Sequence, residues 1–102
     1  MTLGLTRRLH QLALSAAALA TASTTASAAT CADRVLRARG EPSRFEVVAK
    51  AKARGNWRAQ VRAMPSLGAP YATWSIAEQT DYDCSESAGT YTCIAIARPC
   101  RR

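Results

Sequence analysis

Four cysteines constrain this chain more than any other feature. Cys31, Cys84, Cys93 and Cys100 all follow an apolar leader, and an even count in a short exported chain reads as two disulfides. Such bridges persist in oxidising compartments. The intervals between the cysteines are 52, 8 and 6 residues. Zinc ribbons use paired C-x₂₋₄-C spacings, so these intervals argue against a four-cysteine metal site. Neither a metal nor a cofactor is expected.

The leader covers residues 1–29. Arg7 and Arg8 supply positive charge, and Leu12 to Ala20 form an uncharged apolar run shorter than a membrane span. Ala26-Ser27-Ala28 and Ser27-Ala28-Ala29 both match a small-x-small cleavage site. The expectation is a Sec-type signal peptide cut near Ala28 or Ala29 and a periplasmic or secreted product. Thr30 before Cys31 does not suit a lipoprotein signal, and His10 does not suit a twin-arginine one. No second apolar segment approaches membrane length. The leader carries two of the 14 basic residues, so 12 remain against 7 acidic ones, a net charge of +5.

Residues 30–102 then form a single small disulfide-stabilised domain. A chain of that size needs staples because its core is limited. It is too short for a barrel or a dinucleotide-binding sheet. The leader also contains the one histidine, His10, so histidine-dependent nucleophiles and metal sites are excluded from the domain.

The apolar pattern predicts an α+β fold. Residues 30–42 read as a lead-in containing at most one helical turn. Ser43 and Glu46 fit a capping box, and Ala53, Trp57, Val61 and Met64 share a helical face that ends at Pro65. Phe45, Val48 and Ala49 point to a face rotated by about a quarter-turn at 100° per residue. With Gly55-Asn56 between the two faces, the expectation is one long, bent helix. Pro70, Tyr71, Trp74 and Ala77 predict a short second helix over about residues 70–79. Thr80–Glu86 and Thr90–Ala97 read as a hairpin, and both helices are expected to pack on this C-terminal two-stranded sheet, with Trp57 and Trp74 as core anchors.

The turn leaves two registers open. A two-residue turn at Ala88-Gly89 sets Cys84 opposite Cys93, whereas a type I turn with a bulge at Gly89 shifts the pairing by one. The first register favours Cys84–Cys93, with Cys31–Cys100 tying the ends of the domain together.

The series Ala49-Lys50, Trp57, Val61, Gly68-x-x-Tyr71-x-x-Trp74-x-x-Ala77, Cys84, Cys93 and Pro99-Cys100 resembles small exported bacterial proteins of unknown function. The resemblance covers most of the domain after residue 48 and implies a fold and a compartment. It implies no activity.

Three functional classes remain. Lys50, Arg54, Arg58 and Arg62 recur every four residues and form a basic stripe about 18 Å long at 1.5 Å per residue. Arg44, Lys52, Arg101 and Arg102 add charge nearby in sequence. The stripe predicts a non-catalytic domain that binds anionic envelope polymers or lipids weakly. The bland alternative is a solvated helix face. With no exposed aromatic set for base stacking, nucleic acid is disfavoured. The second class is a protein-binding module, an inhibitor or envelope accessory factor that presents the hairpin tip from Glu86 to Thr90. The third is a small hydrolase using Glu78, Asp81, Asp83 and Glu86, for which so short a chain leaves little room to build a cleft. Asp81-x-Asp83-x-Ser85 fails as a calcium loop, because Glu86 stands at its glycine position and Thr92 at its final ligand position. The reading is that this protein is not an enzyme.

Overall fold

In the computed structural model, residues 29–102 are described; the leader, apart from Ala29, lies outside them. Five strands and one helix run in the order β1 (Thr30–Cys31), β2 (Leu36–Arg39), α1 (Glu46–Ala63), β3 (Glu78–Ser87), β4 (Thr90–Arg98) and β5 (Cys100–Arg101). β4 is the central strand of a three-stranded antiparallel sheet, with β2 on one side and β3 on the other. β1 and β5 form a second, two-stranded antiparallel ribbon that sets Cys31 opposite Cys100.

The core lies between α1 and one face of the larger sheet. Ala49, Ala53, Trp57 and Val61 recur at i, i+4 spacing and are fully buried. They face alternate residues of β4 (Cys93, Ala95 and Ala97) together with Leu36 and Ala38 of β2. Alanines on both sides let the helix approach the sheet closely. Trp57 fills the middle, and its indole Nε1–H donates to the Ala97 carbonyl at 3.3 Å. On the opposite sheet face, Arg37 and Arg39 pair with Ile96 and Ile94, which in turn pair with Asp81 and Asp83. That face is solvated, as is usual for an antiparallel sheet packed on one side.

The structure corrects the expected architecture in three places. α1 is a single helix that continues through Gly55 and Asn56. The second apolar face that argues for a bend does not form: Ala49 joins the single buried row with Ala53, Trp57 and Val61, while Phe45 and Val48 stay exposed. The Ser43–Glu46 capping box does not form either. Phe45 is the N-cap residue, and Ser43 pairs its backbone with Tyr91 while its hydroxyl accepts from the Phe45 N–H.

The short second helix is absent. Its place is taken by two 3-10 turns, Ala69–Tyr71 and Trp74–Ile76. Spacing of three residues suits the 3-10 helix at three residues per turn as well as the α-helix. Between the turns, Ala72 bridges to Cys100, and β3 begins directly afterwards at Glu78.

The sheet has three strands instead of two, because Leu36–Arg39 of the expected lead-in pairs with β4. The alternation Leu36, Arg37, Ala38, Arg39 is a strand signal of period two. It puts Leu36 and Ala38 inward and both arginines outward.

Two disulfides staple the domain, Cys31–Cys100 and Cys84–Cys93. The β3–β4 hairpin turns through Ala88 and Gly89, both with positive φ (53° and 78°). This is the two-residue geometry whose twist matches its flanking strands. It sets Ser87 opposite Thr90 and Cys84 opposite Cys93. No helix among the described residues is long and apolar enough to cross a membrane.

Candidate anion-binding surface

Lys50, Arg54, Arg58 and Arg62 share one edge of α1 because they recur every four residues. They follow the buried row by one position, which sets them beside the contact with the sheet, toward β3. There the first two meet Tyr82. The Lys50 ammonium lies 5.6 Å from the centre of the Tyr82 ring, and Arg54 Nη1 donates to the Tyr82 hydroxyl at 2.9 Å. Lys50 also pairs with Glu46 at 3.7 Å.

Tyr82 is held in turn by the core. Its ring stacks on Trp74 at 5.4 Å between centroids, and Trp74 meets Trp57 edge-on at 5.2 Å. A continuous aromatic column therefore runs from the buried helix face to the first half of the basic row. The second half is less engaged. Arg58 is half-buried, Arg62 is exposed, and neither enters an ion pair among the described residues.

The electrostatics of α1 are one-sided. Its 18 residues carry five cations (Lys50, Lys52, Arg54, Arg58 and Arg62) and one anion, Glu46. Lys52 stands exposed, 3.3 Å from the Pro42 carbonyl, and Asn56 bridges the Arg39 carbonyl and Glu41. The hydrogen bond from Asn56, with help from Glu41's own backbone N–H and the charge of Lys52, holds the Glu41 carboxyl below its ordinary pKa.

The acidic residues considered for catalysis do not gather in a cleft. Asp81 and Asp83 project from the solvated face of β3, where Asp83 meets Arg37 at 3.8 Å and Asp81 accepts from the Tyr82 N–H. Glu86 accepts from the Gly89 N–H within the turn. Glu78 approaches the sulfurs of Cys31 and Cys100 within 4.8 Å, but their disulfide leaves no thiolate to bind a metal. A cavity of about 370 Å³ opens instead between the β1–β2 connection and the chain after α1, against Asp33, Arg34, Leu36 and Met64.

Two parts of this surface escaped sequence reasoning. Tyr82 is the residue that fixes Lys50 and Arg54, and its only signal is its place two residues before Cys84 on the inward side of β3. The exposure of Phe45 and Val48 is not legible in the sequence, where with Ala49 they suggest a second apolar helix face, and Val47 beside them carries no signal of its own. No family model, curated protein or solved structure matches this chain.

Proposed function

We propose that this is a small, non-catalytic exported domain that binds anionic envelope surfaces through the basic row of α1. The observation that carries the reading is the excess of cations on that helix, with Arg58 and Arg62 outside any ion pair among the described residues. A row of positive charge on a rigid helix attracts polyanions at long range, and salt weakens the attraction. The aromatic column beneath Lys50 and Arg54 supports the reading, since it holds two of the cations in place before any ligand arrives. The two cystines support delivery to an oxidising compartment, periplasmic or extracellular, by the signal peptide read at residues 1–29.

The test is retention on a heparin column. The oxidised protein is expected to bind and to elute with salt, and R58E/R62E to elute markedly earlier. Arg58 and Arg62 are the right targets because Arg54 also serves Tyr82. Equal retention of variant and parent would reject the proposal.

A further inference from the structure

Phe45, Val47 and Val48 open α1 with 66%, 74% and 39% of their surfaces exposed. Single apolar residues on a surface are ordinary; three within four positions make a patch. None of the three belongs to the buried core.

The patch meets the basic row at Val47. Val47 precedes Lys50 by three residues and Arg54 by seven, so it lies on the same edge of the helix at the head of the row. Arg44 precedes the patch, and Lys52 follows Val48 by one helical turn. The one acidic side chain within it, Glu46, is tied to Lys50. The domain thus presents an apolar tip bounded by cations, continuous with a cationic edge about 18 Å long.

We infer that Phe45, Val47 and Val48 are a wedge that enters the interfacial layer of an anionic lipid bilayer while the basic row lies on the headgroups. The inference rests on the proposed anionic-surface function and names its partner. Charge complementarity selects anionic headgroups, and the wedge separates a bilayer from other polyanions. A polysaccharide or a nucleic acid would engage the cations and leave three apolar side chains in water. A bilayer offers negative charge and hydrocarbon within 5–10 Å of each other, the pairing used by interfacial basic amphipathic helices.

The experiment is co-sedimentation of the oxidised protein, as isolated from the periplasm or medium, with vesicles. One set is pure phosphatidylcholine and the other contains one-quarter phosphatidylglycerol. The parent protein should bind the anionic vesicles and leave the zwitterionic ones. F45S/V47S alters exposed positions only; it should lose at least tenfold in partitioning yet keep its heparin retention. In F45W, the added indole should shift its emission to the blue on anionic vesicles and not on heparin. Undiminished vesicle binding by F45S/V47S, or binding to heparin without binding to anionic vesicles, would overturn the wedge and leave the basic row standing. Failure of the parent to bind either heparin or vesicles would overturn both.

Discussion

Gly40 lies against the backbone of Ala53: a Cβ built on Gly40 would stand 2.7 Å from the Ala53 Cα. The end of β2 and the middle of α1 therefore touch main chain to main chain, and the helix sits as close to the sheet as its alanines allow. Real Cβ atoms do not approach so near, and the opposing atoms are backbone that cannot swing aside. Gly40→Ala should destabilise the domain by at least about 1–3 kcal/mol, the usual range for overpacking. Thermal unfolding followed by circular dichroism measures it, and an unchanged midpoint would refute the close approach.

The two cystines should differ in worth. Cys31–Cys100 closes a separation of 69 residues and Cys84–Cys93 one of 9. Chain-entropy arguments assign the longer loop about 4 kcal/mol and the shorter about 3 kcal/mol. Urea unfolding should find C31S/C100S less stable than C84S/C93S, and the reverse order would show that the hairpin needs its staple more than the termini do.

Ala88 occupies left-handed space without being glycine, with φ at 53°. Ala88→Gly should relieve that conformation and stabilise the hairpin by about 1 kcal/mol. A rise in the thermal midpoint checks it.

Much of this architecture is readable from residues, and the misreadings have physical causes. Pro65 ends α1 as its ring requires, and Met64 before it turns to extended backbone (ψ 120°). The four-residue spacing of Lys50, Arg54, Arg58 and Arg62 places them on one edge without reference to the fold. β2 was obscured because four residues between a cysteine and a Gly-Glu-Pro stretch leave little pattern to count. The rotated apolar face of Phe45, Val48 and Ala49 suggests a bend, whereas in the structure Ala49 belongs to the one buried row and Phe45 and Val48 lie at the surface. Tyr82's hold on Lys50 and Arg54 depends on β3 running beside α1, a tertiary relation that no local spacing encodes.

Glu41 offers a pH readout of the contact between α1 and the segment before it. Asn56 Nδ2 donates to the Glu41 carboxylate at 3.2 Å and is the main cause of its lowered pKa. A carboxyl depressed in the folded state stabilises above its unfolded pKa, and that contribution fades as the pH falls through the folded value. Glu41 is fully exposed, so the effect on global stability is small. NMR titration should show Asn56→Ala moving Glu41 back up toward the ordinary carboxylate range; an unmoved titration would deny the contact.

The most direct test is the affinity of a labelled heparin oligosaccharide for the oxidised protein, measured across a salt series. Binding through the basic row predicts a logarithm of affinity that falls linearly with the logarithm of salt concentration, and a shallower slope for R58E/R62E, which removes two of the cations that release counterions. Affinity indifferent to salt, or a slope the same in the variant as in the parent, would contradict it.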